Sequence, residues 1–329
     1  MTGPSRAGAR ISRHERRRAV PKGEFRSAQH EGIPVSAAPG RPKQAHTTAR
    51  QGEEPPMGGV GMHPDWLLPR WPVAPHVGAV FTTRAGGISR PPFDSLNLGR
   101  PSDDDRAAVD SNRQRLQSAI GLAPVFLSQV HGVNAITLDA PPDPASDVAP
   151  LADASVTAIP GVVCTVRVAD CLPVLFSDIA GRVVGAAHAG WRGLASGVLE
   201  ANLLALQQLA LRHCGEPLRP SDVVAWLGPC IGPQKFEVGP EVRAAFLQHD
   251  GNADSCFVQL PGAKWLADLP ALARLRLLAL GVGGIYGNDG SAPWCTVSNP
   301  LRFFSHRRDS RVLGGSGRMA ACVWINRLR

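Results

Sequence analysis

The sequence lacks any apolar run of about 18 residues, so no membrane-spanning helix is expected. It also lacks the CxxC and HExxH spacings that plant a metal site on one local element. Any metal must therefore be gathered from distant segments. No repeat with a period of roughly 20–50 residues is present, which excludes a solenoid or propeller. The seven cysteines are odd in number and irregularly spaced, and no apolar signal segment follows the arginine run "HERRRAV". They read as free thiols of a cytoplasmic protein, not as a disulfide framework.

What is present divides sharply by charge. Residues 1–56 hold 11 Lys/Arg against 5 Asp/Glu, which accounts for +6 of the net +8. The remaining body is almost neutral, so the basic balance does not point to specific nucleic-acid binding. The first 60 residues are rich in Arg, Gly, Pro and Ser and carry no apolar periodicity. They cannot bury enough surface to offset chain entropy. A disordered basic extension over 1–60 is expected, or a true start at Met57 or Met62. The folded domain is expected over 61–329.

Within that domain, "VGAVFTTR" (77–84), "VFLSQVHG" (125–132), "GRVVGAAH" (181–188), "VVAWLGPCIG" and "RMAACVWI" read as strands. "GVVCTVRVADCLPVLFSD" reads as two strands broken near Ala169–Asp170. Helical spacing appears in "DDDRAAVDSNRQRLQSAIGL" (103–122), with acids in its first turn, and in "GLASGVLEANLLALQQLALRH" (193–213). "GPEVRAAFLQH" and "LADLPALARLRLLALGV" read as further helices. Strands and helices mix without a strict βαβ alternation, which predicts one α+β domain with mixed β-sheets.

"ADCLPVLFSDIAGRVVGAAH" carries a candidate site. A tight hairpin centred between residues 179 and 180 would set Cys171 opposite His188, with Cβ atoms about 4.5–5.5 Å apart. A slip of one residue would send the two side chains to opposite faces. A thiolate beside an imidazole suits zinc or copper, or a nucleophile with its base. His131 ends another predicted strand before a glycine and is the candidate third ligand. Three protein ligands would leave one position open, the catalytic pattern of zinc. Asp170 is a candidate for orienting a ligand. Arg192, in "AGWRG" at a predicted helix start, is a candidate phosphate clamp, with Arg84 in "TTRAGG" and Arg307 in "SHRRD" beside it.

Taken in order, "FTTRAGGIS…FDSLNLG", "LSQVHG", "ADAS…PGVVCTVRVADCLPVLF", "AAHAGWRG", "AWLGPCIGPQKFEVG" and "FFSHRRDS…GRMAACVWI" resemble the YfiH-type family. That family also goes by polyphenol oxidase or laccase-domain family, purine nucleoside phosphorylase family and peptidoglycan editing factor. The resemblance runs from about Trp66 to Ile325. It implies an α/β/β/α layered single domain, and metal ligands at His131, Cys171 and His188. It further implies phosphorolysis of adenosine, inosine, guanosine and methylthioadenosine, with adenosine deamination as a side activity. Copper-dependent phenol oxidation is an older label, and a role in editing peptidoglycan precursors is attached to bacterial members. His306 stands where the family commonly has Tyr. A metal-free Cys–His hydrolase or amidase and a non-enzymatic nucleotide-binding scaffold remain the alternative readings.

Overall fold

β-branched and small apolar residues alternate or run together in short stretches, and these form the strands of a computed structural model that describes residues 61–100, 103–143 and 148–327. The extension expected over 1–60 lies outside the described residues. In chain order the strands are β1 (Val77–Phe81), β2 (Pro124–Phe126), β3 (Ala135–Thr137), β4 (Ala154–Thr157), β5 (Val163–Val168), β6 (Leu172–Asp178) and β7 (Val184–Ala189). They continue as β8 (Val223–Leu227), β9 (Glu237–Val238), β10 (Phe257–Leu260), β11 (Lys264–Ala267), β12 (Gly284–Gly287) and β13 (Met319–Ile325). The helices are α1 (Arg106–Ile120), α2 (Trp191–Ser196), α3 (Val198–Cys214), α4 (Pro240–Leu247), α5 (Leu269–Ala279) and α6 (His306–Leu313).

Two sheets stack face to face. One has the order β1-β13-β5-β2, the other β12-β8-β6-β7-β4-β3. Both mix parallel and antiparallel pairs. Their facing residues form one core, including Val166, Leu175, Ala186, Trp226 and Val323. On the outer face of the smaller sheet, Val80, Ala320 and Trp324 pack with Leu116 and Ile120 of α1. On the outer face of the larger sheet, Val174, Phe176 and Ala187 pack with Leu203 of α3 and Leu272 of α5. The expected α/β/β/α layering is therefore present. A small sheet, β10-β11-β9, completes the helical side. No helix among the described residues is long and apolar enough to cross a membrane.

Local chemistry explains where elements begin and end, and where expectation needs correcting. Helix α1 starts at Arg106, because the Asp105 carboxylate accepts the N–H of Ala107 and caps it. The single helix expected over 193–213 is two: Gly197, at φ 104°, closes α2 and opens α3. The strand expected to run to His131 stops at Phe126, and His131 itself sits at φ 61°.

The hairpin register also differs. His188 pairs with Pro173, not with Cys171, and Leu172 pairs with Ala189. The connecting turn is one residue further along than expected. Asp178 accepts the backbone N–H groups of Arg182 and Val183, which draws residues 179–183 into a five-residue loop. The shift moves the register by two residues, so Cys171 keeps the same face as His188, diagonal to it rather than opposite.

Candidate metal centre and cavity

The face shared by Cys171 and His188 points into the space between the two sheets, at its open end. His188 is buried in β7. Cys171 is half-buried just before β6. His131 is brought to them by the loop after β2. The Sγ of Cys171 lies 3.6 Å from Nε2 of His131. The two imidazole rings meet edge to face, with centroids 4.8 Å apart. One nitrogen from each histidine and the sulfur all lie within 4.8 Å of one another. Sites of this donor type hold zinc at about 2.0–2.3 Å, which needs ligand atoms roughly 3.5 Å apart. The donor set and its spacing therefore fit a divalent ion after a small contraction. The same set suits copper.

One buried carboxylate organises both histidines. Asp153, immediately before β4, accepts from Nδ1 of His188 at 2.8 Å. It also accepts the backbone N–H groups of Val130 at 3.1 Å, His131 at 2.9 Å and Gly132 at 2.7 Å. Burial pushes the Asp153 carboxyl up, but the hydrogen bonds from His188, Gly132 and Val130 outweigh it and hold the group below the ordinary carboxylate value. Because a carboxylate only accepts, Nδ1 of His188 carries the proton and Nε2 faces Cys171. The orienting role expected of Asp170 thus belongs to Asp153. Asp170, at φ 84°, instead accepts from Thr296 Oγ1, Ser305 Oγ and the N–H of Arg307, tying the turn before Cys171 to the start of α6.

The glycines of "GAAHAGWRG" have a steric reason. A Cβ on Gly190 would come 2.7 Å from Cδ2 of His131 and 3.0 Å from Sγ of Cys171. A Cβ on Gly193 would meet the Gly132 carbonyl at 2.8 Å. The backbone after His188 is pressed against the other two side chains of the cluster and against their loop.

The thiol is activated by its neighbours. Burial pushes the Cys171 thiol up, but the charge of His188, hydrogen bonds with His131 and His188, and the charge of His131 bring it down to about 6. For His188, burial pulls down, while the Cys171 thiolate and Asp153 push it up to about 9. The two shifts describe one coupled thiolate–imidazolium pair, and the direction of each follows from the other's charge.

These groups line a cavity of about 310 Å³, whose other walls include Gln129, Arg167, His306 and Arg318. Arg100 also reaches it. The three arginines singled out from sequence are not on this wall. Arg84 donates to the carbonyls of Asp94 and Pro300 and pairs with the Asp94 carboxylate at 3.1 Å. Arg192 is exposed and stacks over Trp191. Arg307 donates to the Glu237 carbonyl and lies over Phe236.

The charged wall is Arg100, Arg167 and Arg318, with the carboxylate of Asp103 among them, none of them singled out from the sequence. Burial lowers the Arg167 guanidinium to about 10, helped by the positive charges of Arg113, Arg100 and Arg318. Its Nε is buried with no partner. Three guanidiniums and one buried, unpartnered N–H against a single carboxylate leave this wall net positive. The only sequence signal was the alternation of Arg167 within a buried strand. Burial, followed by the charge of Arg318, keeps His306 below the usual histidine value.

A family model described as "Multi-copper polyphenol oxidoreductase laccase" matches residues 78–326. A protein of Pseudomonas aeruginosa curated as a purine nucleoside phosphorylase is 48% identical over 262 residues, covering 79% of this chain and 98% of its own. The Escherichia coli protein named purine nucleoside phosphorylase YfiH is 45% identical over 261 residues, with 79% and 98% covered. Among solved structures, a Neisseria meningitidis protein superposes with a TM-score of 0.71 at 41% identity, covering 80% of this chain and all of that one. A Bacillus licheniformis YfiH protein superposes at 0.65 with 28% identity, covering 76% and 93%. The chain belongs to the laccase-like, YfiH-type family that its motifs resemble.

Proposed function

We propose that this chain is a purine nucleoside phosphorylase. It would cleave the N-glycosidic bond of adenosine, inosine, guanosine and methylthioadenosine with inorganic phosphate, releasing the base and the sugar 1-phosphate. The observation that carries this reading is one cavity holding both a Cys–His–His cluster and a three-arginine wall. The names of the relatives support the same class of reaction.

His131, Cys171 and His188 would hold a zinc ion. When bound, that ion would act as a Lewis acid toward a substrate oxygen. Arg100, Arg167 and Arg318 would attract and orient phosphate, because a dianion relieves the repulsion among them. His306, held toward its neutral form, would offer a hydrogen bond at the wall without adding charge. Asp153 would keep His188 in one tautomer and His131 in its strained loop. Adenosine deamination is proposed as a side activity of the same cavity, with water replacing phosphate as co-substrate. Zinc is preferred to a multi-copper arrangement, since several coppers need several His- and Cys-rich clusters, and one such cluster is found among the described residues.

Incubation of the purified full chain with inosine and phosphate tests the reading. The expected products are hypoxanthine and ribose 1-phosphate in equal amounts. Base release that does not depend on phosphate would overturn it.

A second reading has its own observation. The depressed Cys171 thiol, His188 beside it and Asp153 behind His188 also have the makings of a metal-free thiol hydrolase or amidase. Turnover that survives full chelation and is lost on thiol alkylation would favour it.

A further inference from the structure

The arginines of the cavity wall are held in two different ways. Arg167 is fixed within its own sheet. Its Nη2 donates to the Leu127 carbonyl at 2.7 Å. The Gln129 amide brackets its backbone, donating to the Arg167 carbonyl at 2.9 Å and accepting the Arg167 N–H at 2.8 Å. Arg100 lies before α1, whereas Arg318 lies just before β13. One buried side chain joins these two.

That side chain is Asn97, which is 1% exposed and forms no part of the cavity wall. Its Oδ1 accepts the backbone N–H of Gly99, the residue before Arg100, at 2.9 Å. The same oxygen accepts the backbone N–H of Arg318 at 2.9 Å. Its Nδ2 donates to Oδ2 of Asp104, the residue after Asp103, at 3.0 Å. Chemistry fixes this orientation, because the reversed amide would set an NH2 group against two N–H donors and an oxygen against a carboxylate. Arg100, Asp103 and Arg318 are thus tied at or beside their backbones to one amide.

The neighbouring backbone closes the knot. The Leu98 N–H donates to the Arg318 carbonyl at 2.9 Å, and the Asp103 N–H to the Arg100 carbonyl at 3.1 Å. Nδ2 of Asn112, in α1, donates to the Asn97 carbonyl at 3.0 Å. A Cβ on Gly99 would come 2.9 Å from Oδ1 of Asn97 and 3.6 Å from Cγ of Arg318, so the glycine lets the segments approach. None of these segments carries a ligand of the Cys–His–His cluster. Burying an amide costs desolvation that its hydrogen bonds only offset. What the amide secures is spacing: two guanidiniums that repel each other are anchored at one separation, ready for an anion.

We infer that Asn97 is the positioning residue of the phosphate site, setting Arg100 and Arg318, with Asp103, at the separation a phosphate group requires. This rests on reading that wall as the phosphate site. Asn97 acts through the backbones it holds and touches no substrate.

Inorganic phosphate is the probe, titrated by calorimetry into the full metal-loaded chain. The wild type binds it saturably. Asn97→Asp keeps the acceptor for the two N–H groups but turns an oxygen toward the Asp104 carboxylate. It binds phosphate about tenfold more weakly. Combining Asn97→Asp with Asp104→Asn restores a donor to the pair, pointing the other way, at wild-type net charge. This exchange returns the affinity to within about threefold of wild type. Asp104→Ala, at a half-buried position, removes the anchor of Nδ2 and a negative charge together. Loss of charge alone would tighten phosphate binding, whereas loss of positioning weakens it, here by about threefold. In turnover of inosine the Asn97→Asp defect falls on KM for phosphate more than on kcat, and metal content is retained. Any of four results overturns the inference: no saturable phosphate binding by the wild type, equal affinity in Asn97→Asp, an exchange variant about tenfold or more weaker than wild type, or unchanged or tighter binding in Asp104→Ala. Should Asn97→Asp fail to fold, the exchange variant and Asp104→Ala decide. If the binding series behaves as expected but no base is released, the phosphorylase reading falls and Asn97 keeps its role.

Discussion

His188 and His131 reach the same point by different routes. His188 stands inside β7, buried, paired with Pro173 of β6 on one side and with its backbone N–H on the Asp153 carbonyl on the other. His131 stands on an exposed loop, at a backbone angle that L-residues rarely adopt. The first is placed by the sheet. The second is placed by three backbone N–H bonds converging on Asp153, the carboxylate that also orients the first. A loop histidine can therefore be as well positioned as a strand histidine when one buried anion gathers the loop. The contrast also says where the cluster is vulnerable: the sheet side tolerates disturbance elsewhere, whereas the loop side depends on a single side chain.

The strongest way to break the contrast is to remove a ligand outright. Cys171→Ala and His188→Ala are each expected to lower phosphorolysis by several kcal/mol of transition-state stabilisation, about a thousandfold, and to empty the metal site. Phosphate-dependent base release and metal content of the folded variants check this. If the two variants keep wild-type turnover, the cluster has no part in the reaction.

Next comes the shared carboxylate. Asp153→Asn is nearly isosteric but weakens four hydrogen bonds at once. It is expected to reduce metal affinity by about 10–100-fold, measured by competition with a chromophoric chelator. An effect confined to His188, with the His131 loop unmoved in a crystal structure of the variant, would show that the loop holds itself.

Gly190→Ala sharpens the contrast from the other side, because the new methyl would press on His131 and Cys171 while leaving the β6–β7 ladder intact. A destabilisation of about 1–3 kcal/mol is expected from overpacking, read by denaturant melts. His131 should swing out before the hairpin changes, since its loop is the softer partner.

The smallest effect is on titration. In chelated protein the Cys171 thiolate absorbance should appear near pH 6 rather than near 9. The folded value lies below the unfolded one, so this group adds stability that is fully present above the unfolded value and is lost as pH falls through about 6. His188→Gln removes the neighbouring positive charge and should move the transition upward.

Much of this architecture was readable along the chain. Strand runs such as "RMAACVWI" and the break near Ala169–Asp170 appear where the periodicity placed them, because short-range pattern and burial agree there. The spacing over 193–213 reads as one helix, because along the chain a glycine is compatible with either a kink or a cap; at Gly197, with φ 104°, it is a cap. The hairpin register was off by two because the loop length depends on what Asp178 accepts, not on the turn residues alone. The cluster survived that error only because a shift of two preserves the face.

The arginines expected to take phosphate stand away from the cavity that holds the cluster. Arg84, Arg192 and Arg307 stood beside glycines and turns, the usual setting of an anion site, yet each is occupied by local carbonyls, carboxylates or rings. Arg167 lies within β5, among buried neighbours. Nothing in its neighbourhood along the chain announces that Arg100 and Arg318 arrive beside it.

By itself, the amino-acid order determined which segments become strands and helices, that the layers have one apolar face or two, and that a thiol and an imidazole end adjacent strands. Those are properties of residues a few positions apart, governed by periodicity, capping and backbone preference. Only the tertiary structure decided that His131 joins them, that Asp153 rather than Asp170 orients the pair, and which arginines face the cavity. Each of these depends on contacts between segments tens of residues apart, where the outcome is set by how the two sheets stack and by which buried donors must find an acceptor.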